Sequence, residues 1–216
     1  DAAAGSALVS LDSFGGRQAE LDVALPLTDR LSLGAGLTWS DGRFVNATKS
    51  QTREAALIAR WRPSDRLTII PFVQFTRVPR DDVGPAFLPA GDVLPPDPPR
   101  RRLIGPEWLQ SRSTGVNVGS ILDWTPASGW RLKAGLFRSS LAFDQDFSNL
   151  LLDVQANGRA RQLVLADPRL FFVSTSGEVR LTRSIGDGPR QHRLHLAVRG
   201  RGAYRRFGGS DSIDLG

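Results

Sequence analysis

The chain has 216 residues and a formal net charge of +6, with 28 Lys+Arg against 22 Asp+Glu. That length allows one large domain or two small ones, and the absence of cysteine excludes both a disulfide framework and a thiolate metal site. A basic chain fits nucleic acid when its cations cluster with stacking aromatics; here the arginines are scattered along alternating segments, so no nucleic-acid partner is expected.

Strand-like segments dominate, and they come in pairs. In chain order they fall at 6–14, 17–25, 29–40, 50–62, 65–78, 113–125, 129–143, 171–184 and 190–207, about nine in all. Most are far longer than the five or six residues typical of globular strands. Their connections alternate in kind. Short turns rich in Pro, Ser, Asp and Gly sit at 26–29, 62–65, 125–129 and 185–189. Between them, after a brief link at Gly15–Gly16, come longer irregular links at 41–49, 79–112 and 144–170. The proline content of 79–112 leads us to expect neither helix nor strand there. The run NLLLDV (149–154) reads as a short loop hairpin or a helix. In an antiparallel meander every second connection lies on the same rim, so one rim is neat and the other elaborate.

Each strand has one apolar face of period two. Leu21, Val23 and Leu25 oppose Glu20 and Asp22; Leu57, Ala59 and Trp61 oppose Ile58 and Arg60. Trp130, Leu132, Ala134 and Leu136 oppose Arg131 and Lys133, and Leu194, Leu196 and Val198 oppose Arg193 and His195. A soluble secreted β-sandwich would show the same alternation. Three features favour a membrane barrel. The strands reach the roughly 9 to 11 residues a tilted transmembrane strand needs. One rim is short and the other long, as in outer-membrane barrels. And Trp61, Trp124 and Trp130 sit beside the short turns, with Trp39 at the other end of its strand, where an interfacial aromatic girdle would place them. Lipid contains no backbone partners, so such a sheet must close, with its polar face turned inward. No apolar run is long enough for a transmembrane helix.

The stretch GSALVSLDSFGGRQAELDVALPLTDRLSLGAGLTWSDGRF resembles the first barrel strands of TonB-dependent receptors, and RWRPSDRLTIIPFVQFTR is similar to their recurrent turn between spanning strands. The resemblance covers most of residues 5–143. It implies an all-β fold: an antiparallel meander of long strands forming part of a transmembrane outer-membrane β-barrel, about nine strands of an expected 22. Residues 1–216 would then be a partial barrel domain, an internal piece that starts where a plug domain ends and lacks the C-terminal strands. The implied activity is energy-coupled uptake of a scarce ligand, a ferric siderophore being the commonest, in the Gram-negative outer membrane. The implied partners are outer-membrane lipid and lipopolysaccharide, the plug domain and the TonB protein. A passive porin-like barrel is the alternative within the same architecture.

No covalent chemistry is expected. There is no nucleophile elbow, phosphate loop or HExxH motif, and GGSDS (208–212) lacks the context of a catalytic serine. His192 and His195 have no evident catalytic partner, and at i, i+3 a strand turns them to opposite sides. The acids in 81–92 do not have EF-hand spacing. No cofactor and no metal are therefore assigned. Ligand recognition is expected on the 79–112 loop, from Phe87, Trp108 and the run Arg100, Arg101 and Arg102, because aromatics give flat contact area and Arg grips anionic chelates. The arginine run also suits lipopolysaccharide phosphates. Glu20, Asp22, Arg131, Lys133, Arg193 and His195 are expected to face the lumen, and Trp39, Trp61, Trp124 and Trp130 to form the girdle.

Overall fold

In the computed structural model the described residues are 2–92, 94–167, 169–186 and 190–216. They contain twelve strands and no helix. Nine form one continuous antiparallel wall: β1 (Ala4–Leu11), β2 (Arg17–Thr28), β3 (Leu31–Arg43), β4 (Lys49–Ser64), β5 (Leu67–Asp82), β7 (Gln110–Trp124), β8 (Trp130–Val154), β10 (Leu170–Ile185) and β11 (His192–Arg206). These are the nine segments the alternation marks. Each pairs with its chain neighbour, β5 passing to β7 and β8 to β10. The part of the 185–189 turn at 187–189 lies outside the described residues.

Three short strands depart from expectation: β6 (Pro85–Pro89), β9 (Arg161–Asp167) and β12 (Asp211–Asp214). β8 is 25 residues long, and its upper half leaves the wall. There it pairs with β6 in parallel and with β9 antiparallel, and β9 pairs with β12. The 79–112 segment thus does contain strand. Its prolines are tolerated because Pro85 and Pro89 occupy the two ends of an edge strand, where no ladder donor is needed. Likewise 149–154 is strand rather than helix: Asn149 to Leu152 pair with Val164 to Arg161 in a hairpin closed by Gly158, at φ +82°. The 144–170 link is mostly strand as well, and β3 and β4 extend into the two ends of 41–49, because a polar, Ser- and Asp-bearing segment still extends a ladder when a neighbour offers hydrogen bonds.

The short rim is laced by arginine. Arg62 Nη2 donates to the Asp29 carbonyl (2.7 Å) and Arg30 Nη1 to the Pro63 carbonyl (3.1 Å), joining adjacent turns. Gly129 has φ +71°, and a Cβ there would lie 2.7 Å from the Ser184 carbonyl, so the β7–β8 turn requires glycine.

The apolar faces meet no core. Leu21, Leu57, Val73 and Leu196 are 46%, 47%, 41% and 68% exposed. The buried hydrophobic residues among those described are Leu109, Val154 and Val164, all at the elaborate rim. A soluble sandwich needs its apolar faces packed against each other, and this sheet leaves them bare. Register places Leu37, Ala55, Phe75 and Val116 in one row across β3, β4, β5 and β7, with Thr38, Glu54, Thr76 and Gly115 in the row behind. Trp39, Trp61, Trp124 and Trp130 all stand on the apolar face.

If lipid covers that face, Leu57→Arg lowers stability by about 2–4 kcal/mol, whereas Thr76→Arg, on the polar face, costs under about 1 kcal/mol. Denaturant titration in detergent micelles measures both; equal losses would contradict the assignment of faces.

Candidate functional site

Two regions concentrate polar and aromatic groups. One lies on the polar face of β7, β8, β10 and β11; the other is the elaborate rim.

On the polar face the strand register assembles residues distant in sequence. Arg131 faces Thr182, which faces His195; Lys133 faces both Asp123 and Arg180. Arg131 Nε donates to Asp123 Oδ1 at 2.7 Å, and its Nη2 reaches the second oxygen, a fork-on-carboxylate contact. Lys133 Nζ is 3.8 Å from the same carboxylate. Arg180 pairs with Glu178 (2.7 Å), and Thr182 Oγ1 bonds His195 Nδ1 (2.9 Å). Arg131, Lys133, Arg180, Thr182, Arg193 and His195 line an open hollow of about 380 Å³ at the short-turn end. Four of the six polar-face residues expected from sequence, Arg131, Lys133, Arg193 and His195, therefore come together. Glu20 and Asp22 lie on the same face but on β2, six wall strands from β10. The face is thus acidic toward β2 and basic toward β11.

Higher on that face runs an aromatic strip. Phe172 meets Phe143 (6.2 Å) and Phe207 (6.1 Å) edge-on, and Arg205 stands over the Phe172 ring at 5.6 Å. Phe72 and Phe137 form a second contact at 5.7 Å, made possible by Gly119, where a Cβ would sit 2.7 Å from the Phe72 ring. Sequence reading had not singled out Asp123, Arg180, Phe172, Arg205 or Phe207. Alternation does put them on the polar face, but only cross-strand register brings them together.

At the elaborate rim, Phe87 sits on β6 opposite Leu151, and Trp108 packs edge-on against Phe147 at 5.6 Å. Both flank the upper half of β8. The arginine run lies elsewhere: the Arg101 amide donates to the Val45 carbonyl (2.6 Å), pinning it over the β3–β4 turn. Arg100, Arg101 and Arg102 are exposed, and among the described residues they have no ion-pair partner. The five loop candidates therefore form two groups rather than one site.

The rim is ordered by buried polar groups. Asn149, 2% exposed, donates to the Ile104 carbonyl (3.2 Å) and accepts from Gln162 Nε2 (2.8 Å). Asp82 accepts from the Lys49 amide (3.0 Å) and from Arg80 Nε (2.8 Å), tying β5 to β4. Among the described residues no group of three or more His, Cys, Asp or Glu converges as metal ligands would.

This arrangement defines a class. An antiparallel wall of nine strands with open edges at β1 and β11, bare on its apolar side, charged on the other and capped at one rim, has the architecture of a segment of an outer-membrane β-barrel. No family model matches the chain, and no curated protein matches it in sequence. Among solved structures it is similar to Pseudomonas aeruginosa FpvA bound to a heterologous pyoverdine, at 18% identity and TM-score 0.78, over 96% of this chain and 28% of FpvA. It is similar to FpvAI in complex with pyocin S2, at 17% identity and TM-score 0.77, over 96% of this chain and 27% of that one. BauA, the ferric preacinetobactin receptor of Acinetobacter baumannii, matches at 11% identity and TM-score 0.66, over 97% and 31%. At such identities the likeness is one of fold: this chain folds as part of the barrel of siderophore receptors, proteins that are receptors rather than enzymes. It spans under a third of their length.

Removing the buried Asn149 amide strands the half-buried Gln162 side chain and Ile104 carbonyl, so Asn149→Ala costs about 1–3 kcal/mol. Limited proteolysis should then cut the 94–108 segment faster than in the parent; an unchanged cleavage rate would show that this network does not hold the rim.

Proposed function

We propose that this chain is the first part of the barrel of a TonB-dependent outer-membrane receptor, which takes up a scarce ligand, a ferric siderophore, into a Gram-negative cell. The observation that carries the reading is the match in fold of 96% of the chain to the receptor FpvA at TM-score 0.78. The bare apolar face with its four tryptophans supports it: they serve as the interfacial girdle, Trp61, Trp124 and Trp130 on the periplasmic side and Trp39 on the outer side. In this reading residues 1–216 are a partial barrel domain of a longer protein, whose plug domain occupies the lumen and whose TonB-contacting segment transmits energy. Lipid and lipopolysaccharide surround it.

The residues then take distinct roles. Glu20, Asp22, Arg131, Lys133, Arg193 and His195 face the lumen. Arg131 and Lys133 are already held by Asp123, while Arg193 keeps its charge available. An anionic ferric chelate arriving from outside meets the rim first. Trp108 and Phe87 offer flat contact there, Arg100, Arg101 and Arg102 offer charge, and the Phe143–Phe172–Phe207 strip with Arg205 continues both properties down the wall.

Deleting the gene under iron limitation should abolish uptake of one class of radiolabelled ferric siderophore and leave others intact. Trp108→Ala and Phe172→Ala should each weaken binding of that ligand roughly tenfold, about 1.4 kcal/mol, without lowering the amount of protein in the outer membrane. Normal uptake of all ferric chelates tested by the deletion strain would refute the siderophore assignment, and recovery of the protein in the soluble fraction would refute the barrel.

A further inference from the structure

The link between β6 and β7 carries the densest proline of the chain. Leu94 to Arg102 read LPPDPPRRR, and Pro95, Pro96, Pro98 and Pro99 crowd into its first half. Each proline ring fixes φ and removes a backbone donor. Each residue ahead of a proline is confined to extended or polyproline backbone. Together these restraints favour a polyproline II helix over 94–99, with three residues per turn and no internal hydrogen bonds. The structure agrees: 94–99 is neither helix, strand nor turn, and among the described residues no backbone hydrogen bond ties 94–100 to the rest.

The stretch is fixed on either side. Before it, the Ala90 amide donates to the Val154 carbonyl on β8 (3.0 Å). After it, Arg101 takes φ +57°, which ends the polyproline geometry, and its amide holds the Val45 carbonyl (2.6 Å). Pro96 rests beside the β8–β9 hairpin, its Cγ 3.4 Å from where a Cβ on Gly158 would lie. The segment is a strap, tied down at its ends and presented outward. Leu94 is 89% exposed, the highest value among the large exposed hydrophobic residues described, and 96–100 are exposed as well. In the barrel reading lipid answers the exposed apolar groups of the wall, but not one on the rim.

Three-residue periodicity aligns Pro95 with Pro98 and Pro96 with Pro99. Arg100, Arg101 and Arg102 follow at once, exposed and without an ion-pair partner among the described residues. Proline ridges followed by unpaired guanidinium groups suit an aromatic-lined groove with carboxylates at its rim: rings pack between the prolines, and the carboxylates take the arginines. Such a ligand is ordered before it binds, so little conformational entropy is lost on docking. A small anionic chelate would engage the arginines but leave Leu94 and the proline ridges unused.

We propose that Leu94–Arg102 is a docking segment for a protein partner that binds it in the polyproline mode, through an aromatic-lined groove rimmed by carboxylates. This goes beyond ligand uptake. It rests on the rim alone, so it stands or falls separately from the siderophore reading. The arginine run then has a protein partner besides any anionic ligand.

The test uses the intact protein that contains this chain, in phosphatidylcholine nanodiscs. The probe is an isotope-labelled SH3 domain selective for P-x-x-P followed by arginine, observed by NMR. Resonances of its groove should shift or broaden saturably on titration, and those elsewhere should not. Pro98→Ala/Pro99→Ala and Arg100→Gln/Arg102→Gln should each weaken binding about tenfold, and only the second should flatten its salt dependence. Arg159→Gln/Arg161→Gln, an equal charge change on the adjacent hairpin, should bind as the parent does. A free peptide of residues 94–102 should bind no more tightly than the whole protein. No saturable binding, undiminished binding by either of the first two variants, or an equal loss in the hairpin control overturns the proposal. So does a peptide that binds more tightly than the protein, which would mean that the rim hides the segment.

Discussion

A strand that crosses hydrocarbon has no water to satisfy its amides and carbonyls, so each must be paired by a neighbouring strand. The rest of this structure depends on that constraint. The wall runs unbroken from β1 to β11 through eight antiparallel pairings, with register irregularities kept near strand ends, as between Pro26 and Thr28, Gln51 and Arg53, and Val78 and Asp81. Because the ladder is continuous, side-chain parity is conserved from strand to strand. A single choice of face at Leu21 therefore propagates to Leu37, Ala55, Phe75 and Val116. Burial in a core plays no part in fixing it; stability comes from the ladder and from the solvent that meets the apolar side.

Parity also explains how one wall carries three functions without conflict. Apolar residues and tryptophans share one side, the charged network of Asp123, Arg131, Lys133, Glu178 and Arg180 shares the other, and the elaborate rim rises above both. Where β8 outruns its wall partners it becomes the spine of the rim, holding β6 on one edge and β9 on the other. The three buried hydrophobic residues and Asn149 lie there; in the barrel reading the rim meets water and must bury apolar surface to hold its shape, and the wall need not.

Much of this was legible in the sequence. Period-two alternation located all nine wall strands, since Leu and Val at every second place leave no other regular reading, and proline, serine and glycine marked the short turns. The tryptophans beside those turns favoured a membrane wall over a sandwich, and the structure packs the apolar faces against no core among the described residues. The rim was not legible, for a physical reason: β6 and the upper half of β8 are made by long-range pairing, and PAFLP or NLLLDV carries no periodic signal that distinguishes strand from loop. The hollow was half legible. Alternation put Arg131, Lys133, Arg193 and His195 on one side, but Arg180 and Thr182 joined them only through register, which turns separated by long loops do not encode. Phe87 and Trp108 each lie against the upper half of β8, while the arginine run was drawn to the β3–β4 turn by a backbone hydrogen bond that sequence cannot announce.

The central claim is that one face of this sheet meets lipid and the other meets water. The chain has no cysteine, so single cysteines can be introduced and spin-labelled one at a time from Glu54 to Ile58 and from Val73 to Thr76, in the intact protein reconstituted in bilayers. Collision with oxygen, which concentrates in lipid, and with a water-soluble nickel chelate should alternate with period two: oxygen dominating at positions 55, 57, 73 and 75, nickel at 54, 56, 58, 74 and 76. Uniform accessibility along each strand, or exclusion of both reagents from the apolar positions, would mean that those side chains pack against protein, and the account of a membrane wall would be wrong.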